Sequence, residues 1–340
     1  MSSTTVCPPY HRDLYVYGMH ILFVVQTPVL LFISYCVKYK STPAMNTFKM
    51  MLLHQIVWLF INQTVKALLV VPVTVRPIGG ISSYGILNLL NVPPHVQYHL
   101  DTSVLGGVVA STISLLENRF YCYQPPNSMF KISDKARAVI YVTRLVLFTN
   151  LALPLTMFTN DDQNSIKEKF AKILPCFAVE LYRNETFFYA ENVYALYKYL
   201  SIGVVSFGIF ETLFYAFGVV WILRKSSEEL MISEATKQLQ KKFFRAILVQ
   251  EIAPWLIAYQ PQNFIIIFGS ITGQGSLNLN NLSTFLMTTH SIWASISLLL
   301  IVKPYREFFL GLLLCRRNNV IEIRTNSSVF SRIFGYLAIA

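Results

Sequence analysis

Seven times along this chain a run of about twenty mostly apolar residues, the length a helix needs to cross a bilayer, is bracketed by short charged stretches. The runs are Leu14 to Val37, Met50 to Pro72, Tyr98 to Leu116, Ala138 to Phe158, Tyr199 to Leu223, Ala246 to Phe268 and Leu282 to Val302. In lipid every backbone polar group must be satisfied within the structure, so only helices and closed barrels span it. A barrel would alternate apolar and polar positions over about ten residues, whereas these runs are continuous. The pattern predicts an all-α membrane protein, a seven-transmembrane helix bundle over residues 14–302, preceded by a short segment, 1–13, and followed by a tail, 303–340. The second run carries Lys66, and the sixth carries Glu251, Pro254 and Pro261.

Composition sharpens that picture. Hydrophobic residues make up 54% of the chain and charged ones 13%, against roughly 25% charged in a soluble domain; the mean hydropathy is +0.48. A soluble fold of this length could not hide so much apolar surface. The net charge of +11 does not indicate nucleic acid, because the basic residues lie between apolar runs instead of gathering on one soluble surface. With the amino terminus outside, 19 of the 28 Lys and Arg fall on the inner side, seven on the outer side, and Lys66 and Arg144 within spans. The positive-inside rule then places the amino terminus outside and the tail in the cytoplasm. No basic leader or small-residue cleavage site precedes Asp13, so the first run is expected to stay as a membrane helix.

The longest outer loop, Thr159 to Lys198, is close to neutral and holds the triplet Asn184-Glu185-Thr186, a glycan acceptor that would face the lumen. Similar triplets at Asn62, in a span, and Asn326, in the tail, have no such access. The third inner loop, Arg224 to Arg245, reads as extensions of the flanking helices with Lys237, Lys241 and Lys242 on a charged face. That face suits anionic headgroups or a cytoplasmic partner equally well. The five cysteines show no CxxC pair and no nearby His at ligand spacing, which argues against a zinc site.

At the inner end of the third run stands Leu116-Glu117-Asn118-Arg119-Phe120. An acid and an arginine there read either as a charged membrane boundary or as a local ion pair that opens when the arginine is recruited elsewhere. This block, with Thr42-Pro43 before Met45-Asn46-Thr47-Phe48-Lys49, Gln240-Lys241-Lys242 leading to Gln250 and Pro254, and Lys303-Pro304-Tyr305-Arg306, resembles the nematode serpentine chemoreceptors. The likeness is greatest to class H of the Str superfamily, with class I next, and runs from about Cys7 to Arg317.

The resemblance implies a rhodopsin-like G-protein-coupled receptor that binds an odorant-like or pheromone-like small molecule and activates a heterotrimeric G protein, with no cofactor. By that carry-over Glu117, Asn118 and Arg119 form the coupling switch, Asn118 replacing an acid found in many receptors, and Pro304-Tyr305-Arg306 stands where others carry an Asn-Pro and Tyr motif. Pro254-Trp255 would kink the sixth helix, since proline removes a backbone hydrogen bond. Such receptors usually staple the third helix to the second outer loop. No cysteine lies near Tyr98, and Cys7 and Cys176, both on the oxidising side, are the preferred pair instead. Cys36 and Cys122 would stay free thiols, and Cys315 beside Arg316 and Arg317 suits palmitoylation.

Ionisable residues at membrane depth are costly and turn inward, so Lys66, Glu211 and Glu251 are expected to pair with one another or to line a ligand cavity. The same three could line the path of a transporter. A ligand-gated channel of the insect odorant type has its amino terminus inside, against the distribution of basic residues. No HExxH or Gly-x-Ser-x-Gly motif points to an enzyme, and His54 and His290 read as packed helix residues.

Overall fold

The computed structural model describes residues 10–41, 46–75, 79–124, 128–157, 162–173, 178–183, 185–189, 191–229, 256–257, 260–261, 264–265 and 276–313. Among them, six helical stretches are long and apolar enough to cross a membrane. The expected sixth span, Ala246 to Phe268, lies mostly outside the described residues, as do Glu251, Pro254 and Trp255.

The first helix, α1 (Arg12–Lys40), buries Tyr15, Met19, Leu22, Gln26, Leu30, Ile33 and Val37, a stripe with steps of three or four. Its other face exposes Leu14, Tyr17, Ile21, Val24 and Leu31, as a helix immersed in lipid would. Next, α2 (Asn46–Thr64) ends in one π-helical turn, Val65–Leu69, and the chain leaves it through Val71 at φ 45°. A β-branched residue at positive φ is strained. It is held by hydrogen bonds from the Tyr84 backbone N–H to the Val70 and Val71 carbonyls, and from Gly85 to Val70. Gly85 cannot carry a side chain, since a Cβ would sit 2.2 Å from the Leu69 carbonyl oxygen.

A small antiparallel sheet follows, which the all-helical expectation did not contain. Strands β1 (Pro72–Val75) and β2 (Gly80–Ser83) form a hairpin, and β3 (Phe187–Phe188) joins β2, with Ile81 opposite Phe187. The second apolar run stops being helical at Leu69, short of its expected end, and the chain is extended from Pro72, where Val73 and Val75 favour strand and Pro72 offers no N–H to a helix.

After a short turn of helix, α3 (Ile86–Leu89), the central helix α4 (Pro94–Tyr123) begins with proline at its first position, where a missing N–H does no harm. It packs on α2, on α5 (Asp134–Thr149) and on α9 (Glu191–Glu229). Close approach depends on glycine, as is common between membrane helices: a Cβ on Gly106 would lie 2.3 Å from the Phe148 carbonyl oxygen, and one on Gly107 2.2 Å from the Trp58 ring. The Ser133 hydroxyl caps α5 by accepting from the Ala136 N–H. Between α5 and α9 lie α6 (Leu153–Met157), α7 (Gln163–Ile173), α8 (Ala178–Leu181) and β3.

The last spanning stretch is broken at Thr289 into α10 (Leu277–Thr288) and α11 (His290–Ile301), and extended backbone at Val302 turns it into α12 (Lys303–Leu313). The main core joins α1, α2, α4, α11 and α12 through Leu30, Ile33, Leu52, Leu115, Leu298 and Tyr305. A second cluster, Tyr15, Met19, Val73, Val75, Phe188 and Leu277, seals the hairpin onto the end of the bundle where α1 starts. Polar ties complete that cap. The Tyr15 hydroxyl donates to the Pro72 carbonyl at 2.8 Å, and the Asn280 amide donates to the Thr74 carbonyl at 3.1 Å.

Candidate functional site

Among the described residues two charged clusters are buried within the spanning helices, one toward each end of α4. The larger centres on Arg144 of α5, whose residue is 3% exposed. Its guanidinium donates to both oxygens of Glu211 on α9, from Nε at 3.0 Å and Nη2 at 2.8 Å. Nη1 donates to Glu117 Oε2 at 2.8 Å and Ser114 Oγ at 3.0 Å on α4, and Nη2 reaches the Tyr215 hydroxyl at 3.5 Å. Ser114 and Glu117 are three apart, and Glu211 and Tyr215 four apart, so each helix presents its pair on one face. The planar fork of arginine suits a two-point grip on a carboxylate, which a lysine ammonium could not reproduce. Removing one partner from such a cluster costs roughly 3–5 kcal/mol, because the remaining charge is left uncompensated.

Of the two readings of Glu117 and Arg119, this geometry does not form the local ion pair. Side chains two apart on a helix diverge, so Glu117 turns to Arg144 and, at 3.7 Å, to Arg137. Arg119 points toward α2, where its guanidinium lies 3.6 Å from the centre of the Phe48 ring. Asn118 accepts from Arg137 Nη2 at 3.0 Å, and Arg137 also stacks on Tyr121. Sequence reasoning counted Arg144 only as a basic residue inside a span. An arginine at that depth needs a buried acid, and two were in view, but their pairing depends on the rotation of three helices.

The second cluster joins Lys66 of the π turn to Asp101 of α4 at 2.6 Å, with side chains 1% and 9% exposed. Asp101 was missed, although an acid in the third apolar run carried the same signal as Lys66. Glu117 lies sixteen residues farther along α4, about 24 Å at 1.5 Å per residue. Lys66 and Glu211 therefore belong to separate clusters and do not pair with each other. Between the clusters runs a neutral seam. The Gln26 amide donates to the Thr288 carbonyl at 3.0 Å, the Ser291 hydroxyl donates to Gln26 Oε1 at 2.9 Å, and Gln63 donates to the Thr27 hydroxyl at 3.3 Å.

Of the segment Pro304-Tyr305-Arg306, Tyr305 is fully buried and shares a 2.6 Å hydrogen bond with Ser41 at the end of α1. Arg306 donates to the Leu300 carbonyl at 3.1 Å and so caps α11, while Pro304 sits harmlessly in the first turn of α12. His54 is a packing residue, its Nε2 meeting the Tyr141 hydroxyl at 2.8 Å and the Trp58 N–H at 3.1 Å. Cys7, Cys176, Asn184 and Cys315 lie outside the described residues. Among the described residues no group of three His, Cys, Asp or Glu could hold a metal ion.

At the end where α1 starts, Glu180 of α8 is buried against the Tyr84 hydroxyl, which donates to it, with Arg183 Nε at 3.3 Å. Desolvation raises the Glu180 pKa above its ordinary value against the pull of Tyr84 and Arg183. Burial likewise raises the Tyr84 phenol.

Residues 11–315 match the profile of the serpentine type seven-transmembrane G-protein-coupled chemoreceptor family Srh. Serpentine receptor class H-72 of Caenorhabditis elegans is 23% identical over 97% of this chain and 95% of its own. Serpentine receptor class r-10 of the same organism is 21% identical over 51% of this chain and 49% of its own. The crystal structure of squid rhodopsin superposes with a TM-score of 0.53 over 92% of this chain and 90% of that one, at 9% identity, a likeness of fold alone. The chain is thus a multi-pass helical membrane protein with the rhodopsin-like fold, and it belongs to the Srh family of serpentine seven-transmembrane chemoreceptors.

Proposed function

We propose that this chain is a chemosensory G-protein-coupled receptor of the plasma membrane, including that of sensory cilia, which binds an odorant-like or pheromone-like small molecule and activates a heterotrimeric G protein. The observation that carries the reading is the family match over residues 11–315, which takes in every described spanning helix. The excess of Lys and Arg on one side supports an extracellular amino terminus and a cytoplasmic tail. Under that orientation the hairpin cap and the Lys66–Asp101 pair belong to the outer, ligand-facing half. Glu117, Asn118, Arg119 and the end of α9 belong to the half that meets the G protein.

The fold suits signalling because buried charges tie α4, α5 and α9 together at one end, where a change in helix packing would alter the surface shown to a cytoplasmic partner. A transporter or channel reading loses its main support, since Lys66 and Glu211 are engaged in separate ion pairs instead of lining one path. The test is a panel of small volatile and pheromone-like compounds applied to cells that express the chain with a G-protein dissociation reporter. A concentration-dependent response is expected from at least one compound. Ligand-driven ion or solute flux in proteoliposomes, with no G-protein response at verified surface density, would overturn the proposal.

A further inference from the structure

Of the described spanning helices α9 is the least buried, with 11% of its apolar stretch enclosed against 61% for α4. Its attachment runs along one stripe, Gly208, Glu211, Tyr215, Gly218 and Ile222, with steps of three and four residues. The two glycines admit the rings of Phe148 and Phe120, which a Cβ would meet at 2.9 and 2.4 Å. Between them the carboxylate of Glu211 takes two hydrogen bonds from Arg144.

We propose that Arg144 is a releasable latch that holds α9 against α4 and α5, with Glu211 as the member that leaves. Three features separate a latch from a permanent tie. Arg144 has a second set of partners on α4, Glu117 at 2.8 Å and Ser114 at 3.0 Å, so the departure of Glu211 does not strand a bare cation. Glu211 is the most exposed of the three charged side chains, 12% against 9% for Glu117 and 2% for Arg144. The helix that carries it also has, of the described spanning helices, the least burial to hold it. The cluster thus has a closed arrangement with Arg144 shared between two acids, and an open one with Arg144 on Glu117 alone. A consequence for signalling rests on the receptor reading above; the latch itself does not.

The test uses the full-length chain in phospholipid nanodiscs without added ligand. Spin labels at the exposed positions Lys135 of α5 and Phe217 of α9 report the separation of the two helices. Glu211→Gln keeps the shape of the side chain and removes its charge. It is expected to add a longer-distance population, with a shift of a few ångströms, about the scale of known helix displacements. Basal nucleotide exchange on an added heterotrimeric G protein should rise on the order of fivefold. Glu117→Gln, which leaves the two-point grip on Glu211 intact, should shift the distance less.

Arg144→Lys is the second variant, since it keeps a cation but loses the fork and should broaden the distribution even if Glu211→Gln fails to fold. Distance distributions identical to the parent's in whichever of these two variants folds would overturn the latch. A shifted distance with a silent G protein would uphold the latch and count against the receptor reading.

Discussion

The guanidinium of Arg119 lies 3.6 Å over the ring of Phe48, so the arginine at the end of the third spanning helix rests on an aromatic face of the second. A cation over an aromatic ring is worth about 0.5–1 kcal/mol when exposed and roughly 2 when desolvated. That is strong enough to hold the arginine and weak enough for a bound partner to compete. Arg119→Ala is expected to leave surface expression near the parental level and to abolish G-protein activation. Phe48→Leu, which removes the aromatic contact without deleting the arginine, should raise basal activity a few-fold. Both are read by a G-protein dissociation reporter at matched surface density, and full coupling by Arg119→Ala would reduce the residue to a boundary charge.

The Lys66–Asp101 pair calls for a double-mutant cycle. Either Lys66→Met or Asp101→Leu alone leaves a buried charge uncompensated and should destabilise the fold by roughly 3–5 kcal/mol. The double variant should recover most of that loss, because two apolar side chains of similar volume need no solvent. Thermal unfolding in detergent decides it; additive losses in the double variant would show that the pair does not act as a unit.

The cap should respond to pH through Glu180. Its folded pKa is raised, chiefly by desolvation, so the folded state holds a proton that the unfolded chain has already released. The carboxyl therefore favours folding least at neutral pH: stability falls as pH rises from the ordinary carboxylate value to the raised one, and is regained on acidification. Glu180→Gln, still able to accept from Tyr84, should flatten this part of the profile and raise the midpoint at neutral pH. Unfolding midpoints recorded from about pH 4 to pH 8 test the sign.

Gly106 and Gly107 are adjacent, yet their substitutions should differ. On Gly106 a methyl group meets the backbone carbonyl of Phe148, which cannot move without shifting α5. Gly106→Ala should therefore destabilise by about 1–3 kcal/mol and resist rescue. On Gly107 the obstacle is the side chain of Trp58. Gly107→Ala should be largely rescued by Trp58→Leu, a contrast measurable in the same unfolding assay.

Orientation is checked with epitope tags at both ends. The amino-terminal tag should stain on intact cells and the carboxyl-terminal one only after permeabilisation. Asn184→Gln should remove an N-linked glycan from the mature protein, and a non-reducing digest should yield a Cys7–Cys176 peptide. A carboxyl-terminal tag that stains on intact cells would reverse the topology and reassign both faces.

The membrane class and the succession of spanning helices were legible in the sequence because hydropathy is a local, one-dimensional signal: a lipid-spanning helix must be apolar along its whole length, whatever it packs against; the rhodopsin-like arrangement came with the family resemblance. The family was legible for a related reason, since short motifs such as Leu116 to Phe120 keep their order on the spans. The tertiary structure decided which way each helix turns about its own axis. That rotation depends on close contacts far apart in the chain, Gly106 on Phe148 and Gly107 on Trp58 among them. It directs Glu117 to Arg144 and Arg119 to Phe48, and it keeps Lys66 with Asp101 instead of Glu211. The hairpin escaped the sequence reading for a different reason. Val70 to Pro72 is apolar enough to be counted into the second membrane run, and only the pairing of Pro72–Val75 as a strand and its sealing by Tyr15, Phe188 and Leu277 show where extended backbone wins.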